Sequence, residues 1–136
     1  MAKTLIVYKS FLGSTRKYAK WLTDELKSDI VDMWSVRLEK LKEYDTIIVM
    51  SGTYANWMPL TGFLTKNWPT IQDKKVIVVA VGAAPENDPY SKSSYNKIPE
   101  HIRNKIKYFK IYGKFGNQGK EVEKDALNRI IRYLKN

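Results

Sequence analysis

Cysteine is absent from the 136-residue chain and histidine occurs once. Without thiols the chain can build no disulfide, thiolate-bound zinc site, cysteinyl iron–sulfur cluster or cysteine nucleophile. A cytoplasmic, reducing setting fits that composition. His101 has neither a metal-ligand companion nor a nucleophile to activate, and it reads as a surface residue. Acidic residues are scarce as well: 24 Lys and Arg stand against 14 Asp and Glu, a formal charge of +10 with a pI near 9.7. Such a field favours acidic proteins, nucleic acid or anionic headgroups as partners and says nothing of the fold. No apolar run approaches the roughly 18 residues of a membrane span, and MAKTLIVYKS lacks the form of a signal peptide. Contact with a membrane would therefore be peripheral. No GxGxxG follows the first apolar run and no GxxxxGK[ST] occurs, which removes the dinucleotide-binding and P-loop signatures.

What is present alternates. Short continuous apolar runs at 4–8 (TLIVY), 46–50 (TIIVM) and 75–81 (KVIVVAV) suit strands covered on both faces, as in a parallel sheet. Between them lie helical spacings: Thr15, Tyr18, Ala19, Leu22 and Leu26 share one face, and Leu60, Phe63, Leu64 and Trp68 share another. Leu127, Ile130, Ile131 and Leu134 predict a closing amphipathic helix from about Gly119, with Lys124, Arg129, Arg132 and Lys135 on its other faces. Residues 29–33 (DIVDM) read as an edge strand, and 35–43 (SVRLEKLKE) as a short helix after a Ser cap. In 107–112 (KYFKIY), alternation sets Tyr108, Lys110 and Tyr112 opposite Lys107, Phe109 and Ile111, a pattern suited to an edge. The sum is a single α/β domain over 1–136, an open doubly wound sheet of five strands; eight βα units would not fit. The one long irregular stretch, 82–98, has the length and composition of a functional loop.

Ligands of open α/β sheets bind beyond the carboxyl ends of the strands, where strand order reverses. Three loops qualify: 9–15, 51–58 and 82–98. The first carries Ser10, Gly13, Ser14 and Thr15 between a strand and a helix N-terminus, where N–H groups and hydroxyls can hold a phosphate. The other reading is a plain turn with a Ser or Thr cap. In the second loop, Tyr54 and Trp57 offer flat walls to a planar ring, or Trp57 merely covers the end of the sheet. A phosphoacceptor receiver domain would need acidic residues after the first strand and an Asp ending the third, where Lys9-Ser10 and Met50-Ser51 stand. Glu86, Asp88 and Glu100 are scattered, and nothing in their spacing assigns an acid or base role.

On these motifs the chain resembles the flavodoxin-like FMN-binding family over nearly its whole length. Phosphate loops of that family read Ser/Thr-x-Thr-Gly-x-Thr; here the stretch is Ser10-Phe11-Leu12-Gly13-Ser14-Thr15, with Leu12 in place of a hydroxyl. The chain is more similar to the subgroup that includes the quinone-linked protoporphyrinogen oxidase, whose Ser-x-x-Gly-x-Thr loop tolerates Leu12. That subgroup's third-strand loop has a Tyr, a small residue and then an aromatic, the order of Tyr54, Ala55 and Trp57. The oxidase has longer segments after the fourth and fifth strands. The resemblance implies strand order 2-1-3-4-5 and FMN as cofactor, with Ser10, Phe11, Leu12, Gly13, Ser14 and Thr15 at the phosphate. It implies Thr53, Tyr54, Ala55, Asn56 and Trp57, together with Gly82, Ala83, Ala84 and Tyr90, around the isoalloxazine.

The implied activity is electron transfer or oxidoreduction with a quinone, a porphyrin-like compound, another small donor or acceptor, or a redox protein. Flavin chemistry needs few catalytic side chains, because the cofactor carries it. Acidic surroundings disfavour an anionic reduced flavin, so basic charge near the ring would raise the potential. Lys105, Lys107, Lys110, Lys114 and Lys120 read mostly as solvated faces, or else as a docking surface for an acidic partner. The alternative function is a flavodoxin-fold module without flavin that binds an acidic partner through that surface. Nucleic acid is the weakest reading, because charge and aromatics come without a recognised motif.

Overall fold

The computed structural model describes residues 3–115, 118–119 and 121–135. Its centre is a five-stranded sheet built from β1 (Thr4–Lys9), β2 (Asp29–Asp32), β3 (Thr46–Gly52), β4 (Lys75–Gly82) and β5 (Lys107–Tyr112). The order is β2-β1-β3-β4-β5, and every pairing is parallel. β3 is buried at all seven residues, which is why its sequence is a continuous apolar run rather than an alternating one. Strand order reverses between β1 and β3, so the switch point opens at the ends of Lys9 and Gly52.

Helices cover both faces. On one side α1 (Ser14–Leu26), a 3-10 turn (Lys124–Leu127) and α6 (Asn128–Lys135) bring Tyr18, Leu22, Leu127 and Ile130 into one apolar layer with Ile6, Ile48, Ile77 and Val79. On the other, α2 (Leu38–Leu41), α3 (Pro59–Ile71) and α5 (Glu100–Arg103) bring Leu41, Leu64, Ile71 and Ile102 against Leu5, Val49 and Val78. α4 (Pro89–Asn96) lies within the stretch expected to be irregular. Its start is written locally: Pro89 opens the helix, and the Asp88 carboxylate accepts from Tyr90 N at 2.9 Å. Pro89 reads as a loop former until its position just after an Asp is recognised as a helix start.

Two expectations need adjusting. The helix expected over 35–43 shortens to Leu38–Leu41 and has no side-chain cap. The closing helix begins later than Gly119, because Lys114–Phe115 (β6) and Gln118–Gly119 (β7) pair as an antiparallel hairpin first. Lys120 lies outside the described residues. No described helix is long and apolar enough to cross a membrane.

Tyr18 fastens α1 to the last strand. It is fully buried, and its hydroxyl donates to the Tyr112 carbonyl at 2.7 Å. Burial, and then the neighbouring Tyr112, push its phenol well above the ordinary tyrosine range, so the hydroxyl remains a donor. Tyr18→Phe is expected to cost about 1 kcal/mol in urea unfolding, the net worth of one hydrogen bond.

Candidate functional site

The three loops at the carboxyl ends of β1, β3 and β4 meet. In the first, Gly13 precedes α1 with φ +99° and ψ −20°, a left-handed conformation that glycine adopts without strain. Gly13 N donates to Ser10 Oγ at 3.0 Å, which folds the loop back on itself. No side chain caps α1, and the loop is a turn closed by Ser10. The leading N–H groups of the helix carry partial positive charge at the loop. Ser14 is committed elsewhere: its hydroxyl donates to the Lys114 carbonyl at 3.3 Å and accepts from Lys114 N at 3.1 Å.

A cradle forms between this loop and the ends of β3, β4 and β5. It is lined by Ser10, Leu12, Ser14, Thr15, Thr53 and Gly82, among others, with Lys114 at its rim in an ion pair with Glu121 at 2.6 Å. Its enclosed volume is about 20 Å³, on the order of one water's room. The chain closes over it tightly: Gly113 N donates to the Gly82 carbonyl at 3.0 Å, and a Cβ on Gly113 would stand 2.5 Å from Val81 Cγ1.

Beside the cradle runs a slot of about 270 Å³ between the second and third loops. Thr53, Tyr54 and Ala55 form one side; Gly82, Ala83, Ala84, Tyr90 and Ser91 form the other, and Lys110 contributes as well. The Tyr54–Trp57 backbone bonds, 2.8 and 3.0 Å, make a tight turn around Ala55, whose φ is +55°. Ser94 Oγ of α4 donates to the Ala55 carbonyl at 3.4 Å and links the two walls. Tyr54 OH accepts from Phe11 N at 3.4 Å, which ties the slot to the first loop, and burial raises its phenol pKa.

Two hydroxyls in these walls, Thr53 Oγ1 and Ser91 Oγ, are sealed from solvent with no hydrogen-bond partner. Buried polar groups are seldom left that way, and Thr23 Oγ1 and Ser28 Oγ, outside the slot, share the condition. No group of His, Cys, Asp or Glu among the described residues could hold a metal.

The expected site residues divide. Ser10, Leu12, Ser14 and Thr15 line the cradle, while Thr53, Tyr54 and Gly82 line both spaces. Ala55, Ala83, Ala84 and Tyr90 line the slot alone. Phe11, Asn56 and Trp57 line neither. Instead Phe11 stacks on Trp57 at 6.3 Å and 12°, and meets Tyr54 at 5.0 Å and Trp34 at 5.7 Å, so these rings form an aromatic rim outside the slot. Gly13 supplies the turn rather than the cradle wall. Ser91 and Lys110 were missed. Ser91 lay in a stretch read as irregular, and Lys110 in one read as mostly solvated; alternation with Tyr108 and Tyr112 was the available signal that it turns inward.

A parallel sheet of this order, with a hydroxyl-lined cradle and a flat slot at its switch point, defines the open α/β class whose ligands sit beyond the carboxyl ends of the strands. The Flavodoxin domain family model matches residues 5–121, and the chain belongs to that family. An uncharacterized protein of Methanocaldococcus jannaschii is 33% identical over 122 residues, covering 86% of this chain and 75% of that one. The fold matches a flavodoxin of Streptococcus pneumoniae with TM-score 0.67 at 18% identity, over 98% of this chain and 96% of that one. It also matches flavodoxin 2 of Bacillus cereus with TM-score 0.63 at 23% identity, over 98% and 99%.

Proposed function

We propose that the chain, acting as one domain over residues 1–136, binds FMN and passes electrons to or from a redox partner. The observation that carries this reading is the junction of cradle and slot at the switch point of the sheet, where Thr53, Tyr54 and Gly82 line both spaces. A phosphate at the first and a flat ring in the second would lie side by side, and the slot has the volume for such a ring. The cradle suits the phosphate by its hydroxyls and helix N-terminus, while the ammonium of Lys114 at its rim is paired with Glu121 at 2.6 Å. The enclosed space is too small for a phosphate, which would sit at its mouth by Ser10, with Thr15 buried behind. Bound FMN would supply the electron chemistry, and the chain's residues hold and surround it.

Leu12 leaves one phosphate contact unmade and favours the oxidase-like side of the family, with a quinone, a porphyrin-like compound or a protein as the partner. A basic surface in the cytoplasm would select an acidic protein. Exposed Lys105, Lys107 and Arg129 belong to that surface.

Titration of the flavin-free protein with FMN tests the reading. Quenching of flavin fluorescence to one-to-one saturation is the expected result; no quenching at micromolar protein would remove FMN and favour a flavin-free module that binds an acidic partner.

A further inference from the structure

Lys110 stands in the edge strand β5, in register with Ala80 of β4, yet it is only 8% exposed. A buried ammonium needs partners. Its Nζ donates to the Ala84 carbonyl, in the loop that forms one wall of the slot. A Cβ placed on Gly82 would lie 3.5 Å from Lys110 Cε and 3.2 Å from Thr53 Cβ, so the lysine stem and Thr53 approach one point from two sides. Lys110 is the one formally charged side chain among those lining the slot. Burial pushes its ammonium below the ordinary lysine range, while the carboxylates of Glu86 and Asp88 push it back towards the charged form.

We propose that Lys110 is the residue that sets the potential of the bound flavin, by pinning the Ala84 wall and holding a positive charge against the ring. This inference rests on the FMN reading above. A flavin that takes two electrons and one proton from its redox partner gains one negative charge. A cation a few ångströms away in partly buried surroundings stabilises that charge and not the neutral oxidised ring. The general excess of lysine on the surface is screened by salt over about 10 Å and contributes far less. Lys110 is sheltered from that screening, which singles it out from the other cations.

The test uses the full chain loaded with FMN. It measures the two-electron potential by dye-equilibrated reductive titration and the affinity for oxidised FMN by fluorescence, for the wild type, Lys110→Gln, Lys110→Met and Lys110→Arg. The Gln and Met variants are expected to lose at least about tenfold in the ratio of reduced to oxidised affinity, a fall of about 30 mV for a two-electron couple. The Arg variant keeps the wild-type potential. A merely structural lysine would weaken oxidised FMN in the Gln and Met variants and leave the potential where it was; that result overturns the proposal.

The unaltered protein gives an independent reading if the variants fail to fold. Its bound flavin should have a two-electron potential at or above that of free FMN, and a lower value also overturns the proposal. A wild type that takes up no FMN defeats the parent reading and this one with it. A wild type that binds FMN while the Gln and Met potentials stay unmoved defeats this one alone.

Discussion

Ile48→Ala is expected to lower the free energy of unfolding by about 3–4 kcal/mol. Ile48 is fully buried at the middle of β3, flanked in register by Ile6 of β1 and Ile77 of β4. It belongs to the layer that Tyr18, Ala19 and Leu22 of α1 close from above. That layer is bounded by the sheet on one side and two helices on the other, so a deleted side chain leaves a cavity that neighbours cannot fill. Domains of this size hold only about 5–15 kcal/mol in reserve. A thermal midpoint roughly 10 °C lower should accompany the loss. Urea unfolding and far-ultraviolet circular dichroism measure both. The comparison is Ile30 in the edge strand β2, which is 37% exposed; Ile30→Ala should cost less than about 1 kcal/mol. Equal costs at the two positions would mean that the sheet is not layered as described.

The architecture was readable because burial on both faces leaves an unmistakable trace. β1, β3 and β4 are apolar at successive positions, and only a parallel sheet covered twice demands that. The bounds of β5 follow from its alternation of residue types, although Phe109, Lys110 and Ile111 are all buried. The carboxyl-terminal hairpin was not readable. Lys114–Phe115 and Gln118–Gly119 are too short to show a period, and the hydrophobic spacing of the following helix overwhelms them. α4 was hidden for the opposite reason, because Pro, Asn and Ser dominate its neighbourhood and its moment comes from few apolar residues. The Asp88-Pro89 start carries the signal instead.

The site was legible where chemistry is local. Ser10 and Gly13 fold back within three residues of each other, and that contact follows from their spacing. What needs the third dimension was not legible. Trp57 has the residue type of a ring wall, yet the turn at Ala55 directs it onto Phe11, so Tyr54 rather than Trp57 meets the slot. The Ser14 hydroxyl is held by Lys114, a hundred positions away, through two hydrogen bonds that the spacing of the loop does not show. Lys110 was counted with the solvated lysines because nothing in a one-dimensional pattern shows that α4 and the 82–88 loop cover the end of an edge strand. Sequence periodicity reports which face a residue lies on. It does not report what lies over that face.

Gly52→Ala is expected to cost FMN affinity about 100-fold, or roughly 2.8 kcal/mol. Gly52 ends β3 and pairs with Val81, and its backbone conformation is one that alanine accepts. The constraint is space. A Cβ there would overlap the Tyr54 hydroxyl and crowd Tyr54 Cζ, which stand directly over the glycine. Tyr54 cannot yield freely, since its ring packs on Phe11 at 5.0 Å and on Trp57 at 5.9 Å. Relief comes by swinging the ring into the slot or the whole turn away from it, and either movement removes the flat wall a bound isoalloxazine would use. Tyr54→Phe separates the two roles of the side chain: it removes the hydroxyl that accepts from Phe11 N, keeps the ring, and should weaken FMN only a few-fold. Gly52→Ala combined with Tyr54→Phe still leaves the ring Cζ 2.5 Å from the new Cβ and should recover little of the lost affinity. Fluorescence titration of the three variants decides the matter. A Gly52→Ala protein that folds and binds FMN like the wild type would remove Tyr54 from the flavin site.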